Sequence, residues 1–134
     1  MAILDTHMEC CPREELEQLQ LERLQSVLNR VYKNVAFYRS LFDERAIVPE
    51  NVCTIEDFQK LPFTTRRDLN DNYPYGMFAV PLREVVRIHT ATDTTDTPTV
   101  VGYSEHDLKT WAALVARFLT AGDVTRDDVI QISF

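Results

Sequence analysis

Two β-rich runs on either side of a threonine-rich loop constrain the fold of this chain more than any other feature. The runs cover 84–89 and 99–103, a helix begins after Ser104, and a β-branched run follows at 129–134. Two such runs around a turn-forming loop predict a hairpin. A strand, a helix and a second strand are typical of a βαβ crossover. The pattern therefore predicts an α/β fold in which a hairpin and a crossover start a mixed sheet.

The residues before this hairpin favour helices. Pro12 is tolerated in a first helical turn, and acidic residues follow it near the positive end of the helix dipole. Apolar residues then recur at helical spacing and predict one buried face, namely Leu16, Leu19, Leu24, Val27, Leu28 and Val31. A second helix is predicted over 37–46, and Gly122 is expected to end the helix that starts after Ser104.

The domain organisation follows from these elements. We expect one domain over 1–134, with a mainly helical segment at 12–80 and the hairpin and βαβ start at 81–134. A strand after a crossover helix normally lies inside a sheet, covered on both faces. The predicted last strand has nothing after it to cover it, so we expect an incomplete, truncated domain.

Charge and hydrophobic pattern exclude several classes of protein. The net charge is -7, with 14 basic and 21 acidic residues, which argues against binding to nucleic acid. No apolar run approaches the roughly 18 residues of a membrane span, and no signal peptide is evident. The three cysteines show no disulfide framework. We expect reduced thiols and a cytoplasmic protein without a membrane partner.

Few residues suggest catalysis or metal binding. His7, Cys10 and Cys11 could be a fragment of a metal site, but adjacent cysteines rarely ligate one zinc and no second pair exists. His89 and His106 lack a positioned carboxylate or cysteine partner, so structural or solvated roles are expected for both. The sequence predicts no catalytic residue and no metal ligand.

Many segments together resemble phenylacetate–CoA ligases, which are AMP-forming aryl-acid ligases of the adenylate-forming superfamily. The resemblance runs from about residue 8 to residue 134 and covers the opening portion of such an enzyme. It is carried by Met-Glu-Cys at 8–10, Pro-Arg-Glu at 12–14, Leu-Gln-Leu-Glu-Arg-Leu at 19–24, Val-Tyr-Lys-Asn-Val at 31–35, Leu-Pro-Phe-Thr-Thr at 61–65, Asp-Asn-Tyr-Pro at 71–74, Gly76, Val-Val-Arg-Ile-His at 85–89 and Pro-Thr-Val-Val-Gly-Tyr at 98–103.

The resemblance places the nucleotide-phosphate loop of the family, Ser-Ser-Gly-Thr-Thr-Gly-Lys-Pro, at 91–98. Thr94 and Thr95 match its hydroxyl positions and are read as a vestigial ATP-phosphate site. Asp93 and Asp96 replace both glycines, and Thr97 replaces the lysine. Such loops need glycine for close backbone approach and a cation to offset phosphate charge. The resemblance therefore implies a degenerate phosphate loop.

The charge change weighs most against nucleotide binding. A carboxylate about 4 Å from a phosphate charge costs roughly 4 kcal/mol at an effective dielectric near 20, or about a thousandfold in affinity. Bound magnesium could bridge carboxylates to phosphates, so this alternative stays open. For this chain we expect no cofactor, whereas the intact family uses ATP, Mg and CoA on an aryl acid.

Three interpretations remain. The first is the N-terminal part of such a ligase, inactive as this chain alone. The second is a non-catalytic interaction module whose exposed final strand pairs with another copy, as a homo-oligomer, or with another ligase chain. The third is one half of a split ligase. The family's remaining machinery would lie beyond residue 134 in each of them.

Overall fold

The computed structural model describes residues 2–91 and 97–133. Helices come first and a two-stranded antiparallel sheet follows, which confirms the predicted fold class of a helical segment leading into strands. The elements are α1 (Thr6–Glu9), α2 (Arg13–Asn34), α3 (Ala36–Glu44), α4 (Arg66–Asp71), β1 (Val85–Ala91), β2 (Thr99–Ser104) and α5 (Glu105–Ala121). Short 3-10 turns lie at Pro49–Asn51, Glu56–Lys60 and Leu82–Glu84.

Helix α2 begins where the sequence predicts. Pro12 is the N-cap and lies just outside the helix, and two glutamates occupy the first turn. The predicted apolar face is only partly correct. Leu28 is buried, and Leu24 and Val31 pack against the core, but Val27 is 49% exposed.

A small apolar core joins α2, α3 and the turn after them. Leu28, Phe42 and Val52 form its buried cluster. The rings of Tyr32 and Phe42 stack with centroids 6.3 Å apart. The Gln25 side-chain amide donates to the Val52 carbonyl at 2.8 Å and fixes the turn on α2. This region therefore folds around its own buried side chains.

The hairpin contains a close approach that requires glycine. Strands β1 and β2 pair antiparallel, with Ile88 opposite Gly102 and an irregularity after Val85. A Cβ added at Gly102 would lie 2.5 Å from the ring of Phe78. Packing of the segment before β1 under the sheet therefore depends on this glycine.

Two helices start with capping boxes. The Thr65 hydroxyl accepts from the Asp68 amide, while the Asp68 carboxylate accepts from the Thr65 amide. Ser104 and Asp107 repeat this arrangement at the start of α5. These reciprocal bonds satisfy amides that the first helical turn leaves unpaired.

The prediction of a strand near the end of the chain is wrong. Residues 129–133 form no strand, so the βαβ crossover is not present in the part of the chain that the structure describes. A strand needs a hydrogen-bonded neighbour, and β-branched residues alone do not supply one; Val129 is 98% exposed. The prediction that Gly122 ends α5 is confirmed, since Gly122 is its C-cap at φ -84°, and the positive φ that follows falls on Asp123. None of the helices within 2–91 and 97–133 is long and apolar enough to cross a membrane.

Candidate functional site

The hairpin fixes both ends of the threonine-rich loop. Ala91 and Thr99 are paired partners at the open end of the sheet, so the chain leaves β1 and enters β2 at adjacent points. Thr97 lies in a bend just before β2 and is half-buried. The described residues on either side of the loop therefore form a hydrogen-bonded base, and loops held on such a scaffold often carry binding residues.

The base of the loop packs against the segment that precedes the hairpin. A small cavity of about 20 Å³ lies there, lined by Leu69, Asn72, Tyr73, Pro74, Met77, Pro98, Thr99 and Val100. The Asn72 amide donates to the Asp68 carbonyl at 2.8 Å, and the Asn34 amide donates to the Ala79 carbonyl at 3.0 Å. These bonds tie the support of the loop to α4 and to the end of α2. The cavity itself is too small for a nucleotide.

An aromatic cluster lies on one face of the hairpin and on α5. We define it as His89, Tyr103 and Trp111. The rings of Tyr103 and Trp111 stack at 5.4 Å with an interplanar angle of 26°. His89 meets both rings edge-on, at 5.1 Å and 5.8 Å. These ring contacts agree with the structural role expected for His89.

Electrostatics near the hairpin are dominated by capping carboxylates. Hydrogen bonds from the Ser104 hydroxyl and backbone amide lower the pKa of Asp107, so this carboxylate stays charged at the start of α5. His106 is exposed in the same helical turn. A negative charge at a helix N-terminus stabilises the helix. The same negative charge repels other anions, so the N-terminus of α5 is not suited to bind one.

The structure describes only part of the predicted loop. Asp93, Thr94, Thr95 and Asp96 lie outside the described residues, and only Thr97 of the altered positions lies within them. The predictions for Thr94 and Thr95 therefore stay predictions. Thr97 carries no charge, so it cannot replace the cation that the family pattern has at this position.

The cysteines are free thiols. Cys10 and Cys53 are exposed, and Cys11 is half-buried. Burial and the nearby Glu15 carboxylate raise the pKa of the Cys11 thiol, which makes it a poorer nucleophile. Among the residues described, no three His, Cys, Asp or Glu side chains come together as a metal-binding group.

Sequence reasoning missed the aromatic cluster. The sequence indicates no partner for His89, and nothing in it singles out Tyr103 and Trp111 as its neighbours. Tyr103 ends β2 and Trp111 lies two turns into α5, so the Ser104 cap folds the helix back and brings the rings together. The sequence feature that could have indicated this cluster is the position of Tyr103 and Trp111 on either side of the capped helix start at Ser104.

An apolar recess lies away from the hairpin. This groove of about 470 Å³ runs between α2, α3 and the turn before α4. Its lining residues include Leu24, Val31, Tyr38, Phe58 and Pro62. Among the described residues that line it, the one titratable side chain is that of Tyr38, whose hydroxyl lies 2.8 Å from that of Thr64. The groove has binding volume but lacks groups for acid–base chemistry.

Comparisons with known proteins place the chain in a family. No protein-family model matches it. Phenylacetate–coenzyme A ligase of Pseudomonas putida is 47% identical over 133 residues, which are 99% of this chain and 30% of that protein. The same enzyme of Thermus thermophilus is 49% identical over 114 residues, which are 85% of this chain and 26% of the enzyme. The chain thus spans less than a third of the length of these relatives.

The fold agrees with this relationship. A crystal structure of 2-hydroxyisobutyryl-CoA ligase, in complex with 2-HIB-AMP and CoA, matches 81% of this chain at a TM-score of 0.73 and 28% identity. The match covers 24% of that ligase chain. Sequence and structure agree on the same group of CoA ligases, and the resemblance noted from the sequence segments is confirmed. The chain belongs to the phenylacetate–CoA ligase family and corresponds to the N-terminal portion of its members.

Proposed function

We propose that this chain is the N-terminal part of a phenylacetate–CoA-ligase-like enzyme of aromatic catabolism and is inactive by itself. The whole enzyme would convert an aryl acid and ATP to an acyl-adenylate and pyrophosphate, and then form the CoA thioester with release of AMP. The relatives that support the family assignment extend over more than three times the matched length. The chain would supply the phosphate-loop hairpin and its helical support.

The replaced loop residues carry the proposal that this loop does not hold ATP. Asp93, Asp96 and Thr97 stand where the family pattern has two glycines and a lysine. Together they make the loop three charges more negative than that pattern. The donor set therefore does not fit a triphosphate, because its carboxylates repel the phosphates and its hydroxyls offer no compensating charge.

The described residues around the loop supply no evident positive charge to offset its carboxylates. Ala91 and Thr99 hold the loop ends by strand pairing, and the Asp107 carboxylate occupies the start of α5. In β1, Arg87 pairs with Tyr103, at the end of the hairpin far from the loop. A cation for the phosphates would have to come from elsewhere in a longer protein or from bound magnesium.

Calorimetric titration with Mg-ATP tests this proposal. The unaltered chain should show no binding at micromolar concentrations. A triple variant, Asp93→Gly, Asp96→Gly and Thr97→Lys, should bind at least about a thousandfold more tightly, because removing one adjacent carboxylate already accounts for that factor. Tight binding by the unaltered chain would overturn the proposal, as would a folded triple variant that binds no better.

A control separates local chemistry from overall charge. Glu14→Gln, Gln18→Lys and Glu22→Gln change the net charge by the same three units on exposed positions of α2. This control variant should bind Mg-ATP as poorly as the unaltered chain. An equal gain in both variants would mean that general electrostatic attraction, and not the loop, governs binding. Circular dichroism should show equal helicity in all three proteins.

A second candidate function is an interaction module or half of a split ligase. The apolar residues at 129–132 favour it, since Val129 is 98% exposed and Ile132 is 72% exposed. This β-branched tail could add to a sheet edge of another ligase chain. The chain should then bind the Pseudomonas putida ligase, and Val129→Glu with Ile132→Glu should abolish binding. Absence of binding by the unaltered chain would contradict this candidate.

The proposal includes the cellular compartment of the chain. We assign the chain to the cytoplasm, where thiols stay reduced. All three cysteines are free, which is compatible with that assignment. ATP and CoA would serve the whole enzyme, and the isolated chain would need neither of them.

A further inference from the structure

A recess between α2 and α5 combines positive charge with apolar side chains. We call it the α2–α5 recess. Its volume is about 670 Å³. Binding sites for small molecules are commonly of this size, with apolar walls and a few polar groups that fix the orientation of the ligand. The residues that carry the argument are Arg23, Val27 and Arg30 from α2, and Asp107, Trp111 and Leu114 from α5.

The arginines of α2 are available to a ligand. Arg23 and Arg30 are seven residues apart, so they lie on one face of the helix, separated by about 10 Å along its axis. Neither guanidinium forms an ion pair or a hydrogen bond within the part of the chain that the structure describes. The Asp107 carboxylate, which also lines the recess, already accepts from the hydroxyl and the amide of Ser104. Both guanidiniums therefore keep their donors for another group.

Apolar side chains line the same recess. Val27 lies between the two arginines on α2, and Trp111 and Leu114 contribute from α5. The Trp111 ring is held in place, since it stacks on Tyr103 at 5.4 Å and meets His89 edge-on at 5.8 Å. A side chain that is already ordered loses little entropy when a ligand binds. The recess therefore offers apolar contact and positive charge to one and the same molecule.

The two arginines limit what can cover the recess. Burying an unpaired charge is costly, so an apolar surface laid over both guanidiniums is disfavoured. An occupant must carry negative charge, or it must leave the guanidiniums in water. These two unpaired cations lie close together in a chain whose net charge is -7. Charge complementarity thus selects an anion, and the apolar side chains select one with an apolar body.

We propose that the α2–α5 recess binds an amphipathic carboxylate, that is, an organic acid with a charged head and an apolar body. Its carboxylate is held by Arg23 and Arg30. Its apolar body packs against Val27, Trp111 and Leu114. Arginine suits this role, because its planar guanidinium donates two parallel hydrogen bonds to a carboxylate.

This site is separate from the threonine-rich loop. The loop follows Ala91 and precedes Thr99, whereas α5 begins after Ser104, at the other end of β2. A strand of six residues such as β2 extends over about 17 Å. The proposal therefore does not depend on whether the loop binds nucleotide.

Titration with octanoate tests the site, because Trp111 is the single tryptophan of the chain and lines the recess. Octanoate should change the tryptophan fluorescence saturably, with a dissociation constant of about 1 mM or lower. Octylammonium has the same apolar body with the opposite charge, and inorganic phosphate has the charge without the body. Each should bind at least about tenfold more weakly. Equal binding of either probe, or no binding of octanoate, would overturn the proposal.

Paired arginine substitutions locate the carboxylate. Arg23→Gln with Arg30→Gln should weaken octanoate binding about tenfold, because two exposed ion pairs are lost. Glutamine retains the helix propensity of arginine. Arg45→Gln with Arg126→Gln is the matched control, since it removes the same charge from two exposed arginines outside the recess. This control should bind octanoate as the unaltered chain does. Equal weakening by both pairs would mean that overall charge governs binding, which would refute the site.

A second pair of variants locates the apolar body. Leu114 is 54% exposed and Phe118 is 62% exposed, and of the two it is Leu114 that lines the recess. Leu114→Gln should weaken octanoate binding about fivefold through lost apolar contact, whereas Phe118→Gln should leave it unchanged. Circular dichroism should show equal helicity in all variants. An equal loss of binding in both would place octanoate on the exposed face of α5 and would contradict binding in the recess.

Discussion

The two halves of the chain differ in how they are stabilised. From α2 to α4, Leu28, Val35, Phe42 and Val52 are all at most 5% exposed. From β1 to α5, no described residue is buried, and the elements are joined by strand pairing, capping and half-exposed aromatics. The first half carries a core of its own. The second half holds the candidate site and presents most of its apolar surface to solvent.

This difference shows which interactions stabilise each half. Burial contributes roughly 25 cal/mol for each Å² of apolar surface, so the first half can offset its conformational entropy locally. The second half gains little from burial within this chain. Its hairpin and α5 therefore depend on local hydrogen bonds and on whatever covers their apolar faces.

A pair of phenylalanine substitutions should give the largest contrast. Phe42 in α3 is 3% exposed, and Phe118 in α5 is 62% exposed. Phe42→Ala should lower the free energy of unfolding by about 3–5 kcal/mol through lost burial and a cavity. Phe118→Ala should change it by less than about 0.5 kcal/mol at dilute protein. Urea unfolding followed by circular dichroism measures both, and equal losses would mean that the halves share one core.

Two glycine-to-alanine substitutions test how tightly the second half is packed. Gly102→Ala places a Cβ 2.5 Å from the Phe78 ring and should cost about 1–3 kcal/mol through overpacking. At Gly122 the nearest atom to an added Cβ lies at 3.4 Å and φ is -84°, so Gly122→Ala should be neutral or stabilise by up to about 1 kcal/mol. Thermal unfolding ranks the two variants. A tolerated Gly102→Ala would show that hairpin packing contributes little.

Loss of a helix cap should have a smaller and local effect. Ser104→Ala removes the hydroxyl that accepts from the Asp107 amide, which typically costs about 1 kcal/mol. The loss should reduce helicity in α5 and change the fluorescence of Trp111. Thr65→Ala removes the equivalent cap of α4 and should leave Trp111 unchanged. Similar fluorescence changes in both variants would mean that the halves unfold as one unit.

Much of the fold could be predicted because its signals are local. The α2 helix follows from Pro12 and an apolar face, and the starts of α4 and α5 follow from four-residue capping boxes. The strand expected at 129–134 could not be judged this way, because a strand requires a partner elsewhere in the chain. Helix α1 was missed for a related reason: it spans four residues, and its Asp5 cap is held by Arg117.

The candidate site was predictable to a lesser extent. The identity of the loop came from its resemblance to a family pattern, and the hairpin that carries it came from β-propensity around a turn. The contacts of His89 with Tyr103 and Trp111 are tertiary, and they depend on how α5 folds back after Ser104. Spacing alone could not indicate whether Val27 would face the core or solvent.

The smallest expected difference between the halves is in how their stability declines at acid pH. Hydrogen bonds from the Lys60 ammonium and from the Cys53 and Thr54 amides lower the pKa of Asp57 strongly, and bonds from Ser104 lower that of Asp107 less. A depressed carboxyl pKa gives stability that is present above the unfolded value near about 4 and is lost as pH falls through the folded value. Asp57→Asn should therefore flatten the decline in unfolding free energy below about pH 4 more than Asp107→Asn does. Urea titrations from pH 5 to pH 2 measure both slopes, and a greater flattening by Asp107→Asn would place the dominant acid-labile contact in the hairpin half.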